Sequence, residues 1–596
     1  MSTGFRKPKS FSEWVRHRSR QKQDRLDQRF DRSMSALQDI PLESSLEANV
    51  DNIRNMLGNS DDLVIRHFFI EGDIRRKAAI AYIDGLIETV FANQFVMKAA
   101  MELGRPAHSS GEGRVGSVTE VLADYEIPIS ETAKTKRLSE AIRSILSGDS
   151  TLLVDGTDEA VLLNTKGWEK RGIDEPRTES VVRGPRDGFT ETICTNTAQI
   201  RRRLKDPNLR IRYFTVGRRT NTDVAVVFLD GVANAKIVEE VVRRIKAIDI
   251  DGALESGYIE QLIEDSHWTP FPLIQNTERP DKATANILEG KIVIVCDGTP
   301  FVLIAPAVFA QFYHSPEDYY ERFLIGTLIR LIRVISMAMA LLLPSLYIAF
   351  SSFHPEMIPS RLVIAMAAGR STVPFPSIVE AFAMEVTMEI LREASVRLPG
   401  PIGPTIGIVG ALVVGQAAVQ AGIVSPIMVI IVALTTIGSF AAPSYSAAIA
   451  LRMLRFPMMV AAALFGLYGI MLLLILIIMH LCSLKSFGVP YLAPLTPSRF
   501  GDLKDTFARA PLQWMRKRPL FFKTKDKRRI GADSEDTGVQ HGGANNQQQQ
   551  DHDQREQEQR GGEQPHPEQQ QRQRGGEQQR PDEQRQRRGE QQPEQQ

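Results

Sequence analysis

From Leu398 to Leu451 the chain carries no charged residue. So long an uncharged run exceeds one bilayer crossing, at about 20 residues each, and suits two. Ser425-Pro426 is the natural break, which places spans at about 402–424 and 427–450. "VISMAMALLLPSLYIAFSSF" also holds no charge and predicts a span over about 330–353, with Arg330 and Arg333 at its start. Arg452 and Arg455 precede a further apolar run, 457–482. "RLVIAMAAGR" is too short to cross unaided, so residues 361–373 read as a re-entrant or broken helix.

Between these runs lies "PFPSIVEAFAMEVTMEILREASVRLP", an amphipathic helix expected over 376–398. Glu385, Glu389 and Glu393 share one face by their i, i+4, i+8 spacing. That stripe is expected at the membrane interface or facing an aqueous vestibule, where its field would concentrate cations. Glu380 falls away from the stripe and calls for a specific partner, with Arg370 one candidate. The span after this helix is rich in glycine, and Gly403 and Gly407 form a GxxxG pair. Thr405, Val409, Val413, Gln416 and Gln420 fall near one face. Such a face suits either a pore built from several copies or amide hydrogen bonds to neighbouring helices.

The part before residue 320 contains an internal repeat. Asn49, Ile53, Arg54 and Leu57 recur as Asn196, Ile200, Arg201 and Leu204. Leu63, Ile65, Arg66 and Phe68 recur as Leu209, Ile211, Arg212 and Phe214. Asp84-Gly85 aligns with Asp230-Gly231, and "TLLVDGTDEAVLL" with "IVIVCDGTPFVLI", each a hairpin signal. The expected architecture is therefore two duplicated small α/β subdomains, 45–170 and 171–320, followed by an all-α polytopic membrane domain, 321–485. Asp84 and Asp230 read as turn or N-cap aspartates.

Residues 1–44 form a basic arm without an apolar signal core, so the first third is expected to stay cytoplasmic. Phe11, Trp14 and Val15 could seat that arm on a membrane surface, or it is simply solvated. Residues 486–530 include "WMRKRPLFFKTKDKRR", which the positive-inside rule places on the same side. That requires an even number of crossings, and four fit, although Arg452 and Arg455 then fall outside. Residues 531–596 are a Gln-rich tail that cannot form a core and reads as disordered. Cys194, Cys296 and Cys482 are scattered, and no phosphate-loop, dinucleotide, zinc-protease or serine-hydrolase motif occurs. No enzyme activity, cofactor, metal or nucleic-acid partner is expected.

"PFPSIVEAFAMEVTMEILREASVRLPGPIGPTIGIVGALVVGQAAVQAGIVSP" resembles the membrane region of spore germinant receptor A subunits, the GerA family. "EPRTESVVRGPRDGFTETICTNTAQIRRRLKDPNLR", "TERPDKATANILEGKIVIVCDGTPFVLIAP" and "SPEDYYERF" resemble that family's soluble domain and its lead-in to the first span. The resemblance covers roughly Asp51 to Arg518, and the stage V sporulation AF-type proteins share the architecture. It implies a subunit in the inner membrane of a dormant endospore, acting with a transporter-like B subunit and a lipoprotein C subunit in nutrient-triggered germination. It further implies a ring of A subunits, proposed to be a pentamer, that forms a nutrient-gated ion channel. A non-conducting relay scaffold and an AF-type paralogue assisting dipicolinate release are the alternatives.

Overall fold

The computed structural model describes residues 40–70, 76–88, 132–167, 175–176, 178–397, 402–498 and 501–530, with backbone alone for 396–397 and 402–409. Most of the basic arm, the segment 89–131 and the Gln-rich tail lie outside the described residues.

The first subdomain contains α1 (Leu46–Met56), β1 (Leu63–Ile70), β2 (Arg76–Ile83), β3 (Thr132–Thr135), α2 (Leu138–Leu146), β4 (Ser150–Val154) and β5 (Ala160–Leu163). The second contains α3 (Ile193–Arg203), β6 (Leu209–Val216), β7 (Thr222–Leu229), α4 (Ala235–Lys246) and α5 (Ser256–Ile263). It continues with β8 (Gln275–Thr277), α6 (Pro280–Leu288), β9 (Ile292–Cys296) and β10 (Val302–Ala305). The antiparallel sheets have matching orders, β1-β2-β4-β5-β3 and β6-β7-β9-β10-β8. Side chains on strand β7 alternate between two cores. Ala225, Val227 and Leu229 pack with Ile200 of α3 and Ile287 of α6. Val224, Val226 and Phe228 pack with Val241 of α4 and Ile259 of α5.

The duplication extends to single hydrogen bonds. Buried Asn49 donates to the Glu43 carbonyl at 2.6 Å and accepts from the Glu43 N–H at 2.9 Å. Buried Asn196 does the same with Thr190, at 2.6 and 2.7 Å. Asp155 accepts from the N–H of Leu46, the first residue of α1, at 3.1 Å, and Asp297 accepts from that of Ile193 in α3 at 3.0 Å. Each late-hairpin aspartate thus satisfies an otherwise orphan donor at a helix start. Asp84 and Asp230 are turn residues, each accepting from the following glycine N–H. Gly85 and Gly231 have φ of 77° and 84°, which glycine adopts without a Cβ clash.

The repeats diverge where they meet. Arg54 is exposed, whereas its counterpart Arg201 reaches Asp62 of the first subdomain at 2.8 Å, with side-chain exposures of 1% and 2%. Ser60 donates to Asp62 at 2.6 Å and accepts from the Ile211 N–H at 3.1 Å. The Asp61 N–H donates to the Ile211 carbonyl at 3.0 Å.

The rest is largely helical: α7 (Phe323–Ser352), α8 (Ser360–Arg370), α9 (Ser377–Arg397), α10 (Ile402–Gln420), α11 (Pro426–Phe440) and α12 (Tyr445–Ser483). Among the described residues α7 and α12 alone are long and apolar enough to cross a membrane by length and composition. Yet α12 is a hairpin. At Gly466 the backbone leaves helical space, with φ 59° and ψ −139°. A Cβ on Gly469 would lie 2.0 Å from the Ala461 carbonyl, a closeness across eight residues that only a reversal allows. Accordingly Ala447 and Ala450 share a cluster with Leu481 and Leu484.

Contacts set the direction of the other helices. Gly438 of α11 packs on Ser336 of α7, and Ser425 lies beside Tyr347 further along α7, so these two helices are antiparallel. Helix α10 packs on α9 through Gly410 and on α11 through Gly415. Ser425 caps α11, accepting from the Met428 N–H at 3.4 Å, with Pro426 at the first helical position. The helix ends at Phe440 rather than near 450. The reason is Ala442-Pro443-Ser444, in which Ser444 caps the next helix. Pro457, read as the start of a span, lies inside α12.

Candidate functional site

Glu380, Glu385 and Glu389 project from successive turns of α9, and each meets an arginine. Glu380 is 1% exposed. Its Oε1 lies 3.3 Å from Arg370 of α8, and its Oε2 accepts from the N–H and hydroxyl of Ser425 at 3.2 and 3.0 Å. The carboxylate therefore sits at the N-terminus of α11, where the helix dipole and free N–H groups favour a negative charge. The Tyr347 and Ser425 hydroxyls share a hydrogen bond of 3.2 Å.

One turn on, Glu385 pairs with Arg455 of α12, and both are buried. The Arg455 Nε also donates to the Ala340 carbonyl of α7 at 2.7 Å. Glu389 is approached by Arg452 at 2.9 Å and by Arg392 at 3.3 Å. Arg392 donates to the Ser439 hydroxyl at 3.2 Å and lies over the Phe440 ring. Glu393 is exposed. The expected water-facing stripe of three acids is therefore not what the bundle holds: Glu385 turns inward onto an arginine. Spacing within α9 could not reveal this, but Arg452 and Arg455, three residues apart in an apolar run, carried the complementary signal.

On α10, Val413, Gln416 and Gln420 are exposed, and among the described residues neither amide has a hydrogen-bond partner. Thr405 and Val409 lie where only the backbone is described.

A second ionic cluster joins the bundle to the α/β head. Asp318 of the "SPEDYYERF" segment is 2% exposed and faces Arg330 and Arg333 of α7, each at 3.1 Å. Arg330 also reaches Asp505, beyond the bundle, at 2.9 Å, and the Tyr319 hydroxyl donates to Asp505 at 2.7 Å. His314 hydrogen-bonds the Thr506 carbonyl at 3.0 Å, and burial, helped by Arg330, lowers its imidazole to about 3. Upstream, Arg279 pairs with Asp281 at 2.7 Å and donates to the carbonyls of Glu179 and Pro185, holding the "EPRTESVVRGPRDGF" strap on the head. Among the described residues no group of three or more His, Cys, Asp or Glu side chains could hold a metal ion.

Buried ion pairs join the duplicated α/β head to an apolar helical bundle, and the family that the chain matches makes it a membrane-associated receptor component. The chain belongs to the Bacillus/Clostridium GerA spore germination protein family, which matches residues 51–521. It is 44% identical to spore germination protein KA of Bacillus subtilis (strain 168) over 83% of this chain and 90% of that protein. It is 43% identical to a B. subtilis protein described as the uncharacterized membrane protein YfkQ, over 81% of this chain and 92% of that protein. Among solved structures, the N-terminal domain of the A subunit of the Bacillus megaterium spore germinant receptor GerK3 is 37% identical. It covers 45% of this chain and 98% of that domain, with a TM-score of 0.36.

Proposed function

We propose that this chain is the multi-pass A subunit of a nutrient germinant receptor in the inner spore membrane, and that its copies assemble to form or gate an ion pathway. Transporter-like B and lipoprotein C subunits are its proposed partners, with a ring of A subunits, a pentamer in this reading, around the path. The family supports the receptor assignment. The observation that carries the oligomeric reading is the exposed face of α10, where Gln416 and Gln420 have no partner among the described residues on an uncharged helix. Polar side chains in a membrane are expensive unless they meet a partner helix or water. A neighbouring copy, or a water-filled path shared between copies, would supply one.

Helices α7, α9, α10, α11 and the two halves of α12 run alternately away from and back toward the head, an even number of passes. In this reading the head, the basic segment 486–530 and the tail share the cytoplasmic side. Arg452 and Arg455 then cease to conflict with the positive-inside rule, because they are paired inside the bundle rather than lying in a loop. The short α8 is a re-entrant element on the far side, and α9 crosses because its acids are neutralised by arginines. The buried Asp318–Arg330–Asp505 cluster favours a second reading, in which the chain relays a signal between head and bundle without conducting.

Cysteine placed at Val413 tests the assembly, with Cys482 replaced by serine. Oxidation in membranes is expected to give dimers linked through Val413→Cys. Uniformly monomeric protein after oxidation, in membranes where the receptor complex is intact, would remove α10 from the interface.

A further inference from the structure

We infer that the segment around α5 and Trp268 is an anchor that dips the head into the lipid surface, a reading that rests on the membrane assignment above. Helix α5 is apolar on two faces. Ile259 and Ile263 are fully buried in the head. On the other face Tyr258 and Leu262 are exposed, flanked by Leu254 at 70% and Trp268 at 96% exposure. Isolated exposed hydrophobes need no explanation, but four within fifteen residues, including a fully presented tryptophan, mark a contact surface.

What covers this surface follows from where both ends of the α12 hairpin lie. Thr269, next to Trp268, meets His480 in the last turn of α12 at 3.0 Å, and the Phe271 ring lies 6.4 Å from the His480 ring. On the other flank Glu255, Ser256, Gly257 and Glu260 share a cavity of about 320 Å³ with Pro443, Ser444, Tyr445 and Ser446, where α12 begins. The segment 254–269 is thus bracketed by the two points where the hairpin enters and leaves the bundle. Those points define the headgroup level of the bilayer. Trp and Tyr favour that level because one part of the ring is apolar and another forms hydrogen bonds.

Charge selects the kind of lipid contact. The segment's own ionisable groups are Glu255, Glu260, Glu264 beside His267, and Asp265 beside Arg244, four acids against one histidine, with His480 and the exposed Lys485 at the end of α12 as neighbours. The acidic excess of the segment itself disfavours anionic headgroups. The anchor therefore works by inserting apolar and aromatic side chains, and depends little on lipid charge.

The test uses the full chain in lipid nanodiscs, with Trp14, Trp168 and Trp514 changed to phenylalanine so that Trp268 alone reports. Lipids brominated near the headgroup are expected to quench its emission at least about twofold, more than lipids brominated near the chain ends, as interfacial tryptophan requires. Quenching is expected to be equal in zwitterionic and partly anionic bilayers. A separate variant, Trp268→Phe with Leu472→Trp, places the reporter on the exposed flank of α12 and checks membrane embedding. Quenching at Leu472→Trp without quenching at Trp268 overturns the anchor and leaves the membrane reading intact. Loss of both overturns the membrane reading as well. Quenching of Trp268 confined to anionic bilayers overturns apolar insertion in favour of electrostatic attraction.

Discussion

Arg455 of α12 and Glu385 of α9 form an ion pair in which each side chain is 3% exposed. Removing one partner strands the other charge, which typically costs about 3–5 kcal/mol for a buried pair. Glu385→Ala or Arg455→Ala is expected to lower the unfolding temperature of the detergent-solubilised protein markedly. Replacing both by apolar residues of similar volume is expected to recover most of that loss. A double replacement as damaging as either single change would show that the pair is not one energetic unit.

The two halves of the head predict a matched pair of effects. Asn49 and Asn196 each hold a backbone donor and acceptor six residues upstream. Each change to alanine removes two hydrogen bonds to partly buried backbone groups, a loss of about 0.5–1.5 kcal/mol per bond. Denaturant unfolding of Asn49→Ala and Asn196→Ala is expected to give similar destabilisation. Arg201→Ala is different: it empties the contact with Asp62 between the subdomains. Faster proteolysis near residues 57–62 is the expected readout.

How far the sequence announced this architecture varies by element. The duplication was legible because both copies keep the same polar positions, Asn49 with Asn196 and Asp155 with Asp297, along with the strand alternation. The end of α11 was also written locally, in Pro443-Ser444, although hydropathy alone smoothed over it. The reversal at Gly466 was not legible, because one glycine in a uniformly apolar run carries no turn signal in an element surrounded by other helices. The pairing of the α9 acids was only half legible. Periodicity says which residues share a face, but not which face of another helix meets it. Glu380 stood apart in the sequence by its position off the stripe, and Arg370 lies 3.3 Å from it. Its second partner, the start of α11, needed the fold.

Two groups in and near the head set opposite pH trends. His314 is held at about 3 by burial, below its ordinary value near 6.5. Its contribution to stability is present above about pH 6.5 and is lost as pH falls toward 3, because the unfolded chain takes up the proton first. Glu260 is raised to about 7 by burial and by Glu264 and Glu255. Its contribution is present below its unfolded value of 4.5 and is lost as pH rises through about 7. His314→Gln is therefore expected to flatten the acid-side loss of stability, and Glu260→Gln to flatten the fall toward neutral pH. Thermal melts across pH 4–8 with each variant, an interval of about four units spanning both groups, separate them.

At the junction, Asp318 balances two buried arginines of α7. Asp318→Asn keeps the shape but removes the charge, and it replaces one accepting oxygen with an NH2 donor that faces the arginines. The expected result is an assembled receptor with a slowed germination response, because head and bundle lose a buried ionic link. Germination kinetics and receptor level are measured in the same spores. A normal response at normal receptor level would remove this cluster from signal relay.

The central claim, that copies of this chain form or gate an ion path beside α10, is tested most directly by cation flux through proteoliposomes carrying the chain with its partner subunits. The account predicts nutrient-dependent passage of monovalent cations, changed at least about tenfold by Gln416→Leu or Val413→Trp with assembly intact, a change of about 1.4 kcal/mol in the barrier. Flux unaltered by both substitutions would contradict it.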